Sequence, residues 1–148
     1  MTITYLETKD IPIEPLCRLF HDERWNDFFD PDEVVFYQQV AVHIVTAWDG
    51  DRLVGYARLG GDGRLEVEIT DVLVDSAYQG RGIGTELVRR LVDRINEIDP
   101  YYIQVTPISD REVHLYGKFG FTEIEGYRRM ELLTGRLTDK VKKVRGEG

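Results

Sequence analysis

The chain opens on a short alternation of polar and apolar residues over 2–7, the period of a strand with one buried face. Ile13, Leu16, Cys17 and Phe20 then recur at helical spacing. Pro12 and Pro15 fall near the start of that pattern, where a missing backbone N–H costs little. Residues 25–29 read as a loop, and Asp30-Pro31-Asp32-Glu33 marks a second helix start, with acids where the positive end of a helix favours them. Val34, Val35, Tyr37, Gln38 and Ala41 continue it. Two strand-like runs, 43–48 and 53–59, are joined through Asp49-Gly50-Asp51, a strong hairpin signal. Gly60-Gly61-Asp62-Gly63 turns the chain into a third run, 65–74, rich in β-branched residues. Ile83, Leu87, Val88, Leu91, Val92, Ile95 and Ile98 then mark one face of an amphipathic helix that Asp99-Pro100 ends. A strand over 101–106, a short helix over 109–118 with Ser109 as its N-cap, and closing strands over 121–124 and 127–133 complete the pattern. The order β-α-α-β-β-β-α-β-α-β-β predicts an α+β fold: a mixed, mostly antiparallel central sheet flanked by helices.

Composition narrows the class. Hydrophobic residues make up 42% and charged residues 31% of 148, which is globular, and the length suits one domain. A net charge of −8 argues against a nucleic-acid partner and slightly favours a cationic one. Cys17 is the single cysteine, so no internal disulfide can form. With no leader-like start and no apolar run long enough to span a bilayer, a soluble cytoplasmic protein without a membrane partner is expected. His21, His43 and His114 are scattered, and no metal site is expected. The domain is expected over 1–135, with 136–148 a flexible tail carrying Arg136, Lys140, Lys142, Lys143 and Arg145.

The chemistry concentrates at Gln79-Gly80-Arg81-Gly82-Ile83-Gly84, between the third strand of the meander and the amphipathic helix. Glycines let backbone N–H groups approach an anion, and a helix N-terminus adds about half a positive charge. Arg81 can add a full charge and paired hydrogen bonds to phosphate. The dinucleotide fingerprint G-x-G-x-x-G and the phosphate loop G-x-x-x-x-G-K-[ST] both fail here, so a diphosphate ligand is expected outside those two folds.

Gln79-x-x-Gly82-x-Gly84 resembles the [Q/R]-x-x-G-x-[G/A] signature of the GCN5-related N-acetyltransferases, the GNAT superfamily. Asp71-Val72-Leu73-Val74 before it is similar to the family's surroundings, and Leu115-Tyr116-Gly117-Lys118-Phe119-Gly120-Phe121 to its L-Y-x-K-x-G-F segment. The resemblance implies the acyl-CoA N-acyltransferase fold and transfer of an acetyl group from acetyl-CoA to a primary amine, of a small molecule or a protein. It implies that main-chain groups of Leu73 and Val74 pair with the pantetheine arm. Gln79, Gly80, Arg81, Gly82, Ile83, Gly84 and Thr85 would hold the pyrophosphate.

An ammonium is no nucleophile, and coenzyme A must leave as thiol or thiolate, so a base and an acid are expected. Tyr116 matches the family position whose hydroxyl faces the sulfur. Glu68, eleven positions before Gln79, and Asp71 are the candidate bases, with a water relay as the alternative. Strict alternation would put these carboxylates on opposite faces, and a bulge would change that parity. Ser109 stands where many family members carry asparagine. The resemblance places the acceptor against the loop that holds Trp25, Phe28, Phe29, Asp30, Asp32 and Glu33. Direct transfer in a ternary complex is expected, and a homodimer is a further possibility for the closing strands. The competing expectation is a non-catalytic module of the same fold, an acyl-CoA sensor or protein-interaction domain, which needs the cradle but neither acid nor base.

Overall fold

A computed structural model describes residues 2–23, 31–130 and 132. Five strands, β1 (Thr4–Leu6), β2 (His43–Asp49), β3 (Arg52–Gly61), β4 (Glu66–Val74) and β5 (Tyr102–Val105), form one sheet in chain order. The first four are antiparallel and β5 runs parallel to β4, so the sheet is mixed and mostly antiparallel, as its sequence pattern predicts. Helices α1 (Ile13–Asp22) and α2 (Pro31–Gln39) connect β1 to β2. Helix α3 (Ile83–Ile98) crosses from β4 to β5, and α4 (Asp110–Gly117) follows β5.

Each face of the sheet has its own core. Val45, Ala47, Val54, Ala57, Leu59, Val67 and Ile69 pack with the apolar stripe of α3 and with Tyr116 of α4. Ile44, Leu53, Tyr56 and Leu73 pack with Leu16, Leu19 and Phe20 of α1 and Val34 of α2. Strand β3, buried over 53–60, contributes to both cores. Two bulges allow it. Pairing jumps from Ala47↔Gly55 to Trp48↔Leu53, leaving Val54 as an extra residue, and from Arg58↔Asp71 to Leu59↔Ile69, leaving Thr70 as another. The turn into β4 is closed by the Asp62 carboxylate, which accepts from the amides of Arg64 (2.8 Å), Leu65 (2.7 Å) and Glu66 (3.1 Å).

The closing strands expected at 121–124 and 127–133 are not present among the described residues. A turn forms at 125–126, with Gly126 at φ 78°, but its arms carry no ladder. Phe121 packs against the core, but Ile124, Tyr127 and Met130 are 60%, 67% and 92% exposed, so little apolar surface is buried to hold the arms, and an isolated hairpin is marginal in water. Side chains alone join this segment to the end of the sheet: Tyr127 to Tyr102, and Arg129 to the Thr106 hydroxyl. Trp25, Phe28, Phe29, Asp30 and the basic tail lie outside the described residues; Asp32 and Glu33 sit in the first turn of α2.

Candidate active site

Strand β4 ends in a single 3₁₀ turn, Ser76–Tyr78, and the chain then passes through Gln79–Gly82 into α3. Gly80 and Gly82 have φ of 79° and 82°, a region that penalises any residue with a Cβ. An added Cβ at either would meet nothing within 4 Å, so the loop is glycine-rich for its backbone shape and not for internal packing. Gly82 is the N-cap of α3 and offers no side chain to the first-turn amides. Its carbonyl accepts from Glu86 (3.1 Å), while the amides of the preceding positions are the orphan donors of every helix start. Arg81 lies beside them, its guanidinium carbon 5.2 Å from the centre of the Tyr78 ring.

These amides face a cavity of about 570 Å³ between α3 and α4. Val72, Val74, Gln79, Gly80, Gly82, Ile83, Gly84 and Thr85 form one wall, and Ser109, Arg111, Glu112, Tyr116 and Lys118 line the other. Ladder pairing of β4 with β5 stops at Ile69↔Val105, and β4 runs on to Val74 with no strand among the described residues on its outer edge. The Asp75 amide donates to Val54 O (2.8 Å), which fixes the phase of the β3–β4 ladder. By alternation Leu73 turns its main chain to β3 and its side chain into the α1/α2 core, while Val72 and Val74 present N–H and C=O to the open edge. Which of Val72 and Leu73 shares the open edge with Val74 is invisible in the sequence: strand phase depends on partner register, which no local pattern carries. Gln79 bridges the cavity mouth, donating to Val74 O (3.1 Å) and accepting from Arg111 (3.5 Å).

A family model described as the acetyltransferase (GNAT) family matches residues 10–121. The chain belongs to the GNAT acetyltransferase family. It is 40% identical to the N-alpha-acetyltransferase RimI of Mycobacterium tuberculosis over 96 residues, 63% of this chain and 60% of RimI. It is 36% identical to the histone acetyltransferase TAP1 of Glycine max over 81 residues, 53% of this chain and 34% of that protein. Among solved structures, a GNAT family acetyltransferase of Streptococcus pneumoniae superposes with a TM-score of 0.77 at 25% identity, over 90% of this chain and 99% of that one.

In this GNAT chain Tyr116 is 5% exposed on α4, edge-on to Phe121 at 6.0 Å between ring centres. Its hydroxyl makes no hydrogen bond to a described residue, yet no buried side-chain oxygen among them lacks a partner. The oxygen therefore opens into the cavity that the residue lines. Burial pushes its pKa up, helped by the charges of Glu112 and Asp71, so the phenol stays protonated. Helix α4 is aimed by Ser109, whose hydroxyl accepts from the Glu112 amide (3.2 Å), and by Glu112, which accepts from Ile108 N (2.6 Å).

The two candidate bases lie across the sheet from that cavity. The bulge at Thr70 places Glu68 and Asp71 on one face, the α1/α2 side, because Val67 and Ile69 before it and Val72 after it all pack toward α3. Their environments differ. Asp71 is 4% exposed and accepts from the Tyr37 hydroxyl and from Thr70 Oγ1 (3.2 Å). Buried Arg58 donates to Thr70 Oγ1 (3.0 Å) and to Tyr37 O (3.3 Å), and stacks 3.7 Å from the Tyr37 ring centre. Burial raises the Asp71 pKa against the pull of Tyr37, Arg58 and Thr70, with Glu68 adding to the rise. Glu68 is half-buried, with a long contact from Gln104 Nε2 at 3.5 Å. Asp71 is built into a network; Glu68 keeps acceptor capacity. Among the described residues no group of three or more metal-ligating side chains converges, and no helix is long and apolar enough to cross a membrane.

Proposed function

We propose that this chain transfers the acetyl group of acetyl-CoA to a primary amine by direct attack within a ternary complex, with a polypeptide α-amine as the favoured acceptor. The observation that carries the reading is the conjunction, in one cavity, of the strand-free β4 edge, the first turn of α3 without a side-chain cap and the open Tyr116 hydroxyl. Pyrophosphate would accept from the amides of 81–85 and face Arg81. The pantetheine amides would pair with Val72 and Val74 as an added strand, which brings the thioester toward the point where β4 and β5 part. Gln79, which already braces Val74 and Arg111, would hold the cavity mouth open.

From the other side of the sheet the amine attacks the thioester carbonyl carbon. The N–C bond forms, the C–S bond breaks, and the proton leaves nitrogen for Glu68. Tyr116 donates to the departing sulfur. Asp71 holds the strand. Asp71, the other candidate, is already engaged by Tyr37 and Thr70, which leaves Glu68 as the base of this reading and suits an acceptor that loses its proton easily. At pH 7.5 roughly a third of α-amines are already neutral, against about one lysine side chain in a thousand. RimI, to which the chain is similar, is named for N-alpha-acetylation.

The test is thiol release from acetyl-CoA with three acceptors: a peptide with a free N-terminus, the same peptide N-terminally blocked but carrying lysine, and a set of small amines. Release with the first alone is expected. Binding of acetyl-CoA without turnover on any amine would make the chain a sensor, and absence of binding would remove both readings.

A further inference from the structure

The loop that would hold the coenzyme has little to stiffen it. Ser76, Ala77, Gln79, Gly80, Arg81 and Gly82 are all exposed, and two of them are glycines at positive φ. Polar anchors take the place of packing. Asp75 accepts from Ala77 N (3.0 Å) and from Arg52 (2.9 Å), with Arg18 at 3.5 Å, and Tyr78 donates to Asp49. Burial pushes the Asp75 carboxyl up, but the Ala77 amide and the two arginines outweigh it and hold it below the usual carboxylate range. One further anchor comes from outside the sheet. Glu23, the residue that closes α1, accepts from Ser76 N (2.9 Å) through Oε1, and from Ser76 Oγ through Oε1 (3.0 Å) and Oε2 (3.3 Å). Helix α1 thus grips the first residue after the Asp75 cap, at the hinge between β4 and the cradle.

We propose that Glu23 is a positioning residue for coenzyme binding, fixing through Ser76 the turn that aims the cradle amides. This rests on the acetyl-CoA reading above. A carboxylate on the turn that precedes an anion site can only oppose the anion, so charge alone gives no reason for it there. Its hydrogen bonds do: a turn that is already ordered loses less freedom when ligand arrives.

That opposition makes the test sharp. Glu23→Gln and Glu23→Ala remove the same charge, but glutamine keeps a carbonyl that can accept from Ser76, and alanine keeps nothing. Acetyl-CoA dissociation constants from calorimetry, with melting temperatures of the unliganded proteins, separate the effects. Glu23→Gln is expected to bind as tightly as wild type or tighter, and Glu23→Ala about three- to tenfold more weakly, the size of ordering one side-chain anchor. Melting temperatures should stay within about 3 °C, because the group is at the surface. Equal affinities for the two variants would overturn the proposal. So would a lower melting temperature in Glu23→Ala with affinity intact, which is what a brace for α1 alone would give. If wild type itself fails to bind acetyl-CoA, the functional reading falls and this inference falls with it; a wild type that binds, with indifferent variants, removes the inference alone.

Discussion

Gly84→Leu separates a glycine kept for its ligand from one kept for its fold. Unlike Gly80 and Gly82, Gly84 has no positive φ, and it sits as the second residue of α3. A Cβ there would lie 3.7 Å from Val74 Cγ2, an ordinary contact with no clash. By helix propensity the substitution should stabilise the protein by up to about 1 kcal/mol. For a domain of this size that raises Tm by about 2–4 °C. Gly84 nonetheless lines the cavity beside the first-turn amides, where pyrophosphate would have to approach. Alanine satisfies the family signature at this position, but a leucine side chain that displaces one charge-assisted hydrogen bond, about 1.5–3 kcal/mol, should weaken acetyl-CoA binding roughly ten- to hundredfold. Gly82→Ala gives the internal control. Its φ of 82° costs alanine about 1–2 kcal/mol, so there stability and affinity should fall together. Calorimetry with acetyl-CoA and melting curves without it measure both quantities. A Gly84→Leu protein that melts higher and binds acetyl-CoA as wild type does would refute the reasoning, since the pyrophosphate would then not lie against that turn.

Tyr116→Phe should lower kcat at least tenfold while the acetyl-CoA Kd and Tm hold, since its hydroxyl has no described protein partner; unchanged kcat with chemistry rate-limiting would exclude it from the reaction. Glu68→Gln should lower kcat a hundredfold or more with little change in stability, as expected for a general base. Asp71→Asn should instead cost roughly 2–3 kcal/mol of stability, because it leaves buried Arg58 near a neutral amide; the reverse pattern in kinetics and melting would exchange the two roles. Acidification should weaken the N-terminal end of α3. Hydrogen bonds from Arg89, aided by Arg90, hold Glu86 at about 2 from an ordinary 4.5, so its stabilisation is complete above pH 4.5 and fades as pH falls toward 2. Glu86→Gln should flatten that part of a melting-temperature profile, and an unaltered slope would show that the ion pairs contribute nothing in solution.

The parts legible in the sequence are those fixed by local constraints. The stripe on α3 needs only 3.6-residue spacing, Ser109 caps α4 because a hydroxyl reaches the third amide on, and positive φ at Gly80 and Gly82 follows from the tight strand-to-helix turn. What stayed hidden depends on partners far along the chain. Thr70 looks like any β-branched strand residue, and only its opposition to the Arg58–Leu59 step makes it a bulge. Tyr37 and Asp71 are 34 positions apart, so nothing near Asp71 shows that its carboxylate is already taken. Leu73 and Val72 are equally apolar, and the choice between them lies in the phase of hydrogen bonding to β3. The closing strands are absent among the described residues for a related reason: alternation predicts which side chains could face a core, and says nothing of whether a ladder exists to receive them.

The bulge and the early end of β5 together turn a sheet into a partition with a door. Had β4 kept strict alternation, Asp71 would have followed Val67 and Ile69 into the α3 core, and its carboxylate would have needed an ion partner there. The extra residue at Thr70 sends Asp71 to α2, where Tyr37 and Arg58 receive it, and leaves Val72 and Val74 facing the cavity. Strand β5 stops pairing at Val105, one residue before that switch, so the sheet is open at the level where β4 changes faces. Donor and acceptor could then approach from opposite sides and meet at one gap. A protonated Tyr116 would stand on the sulfur side and Glu68 on the nitrogen side. The separation would keep the two roles apart, with the base behind the strand on the amine side and the acid within the coenzyme cavity.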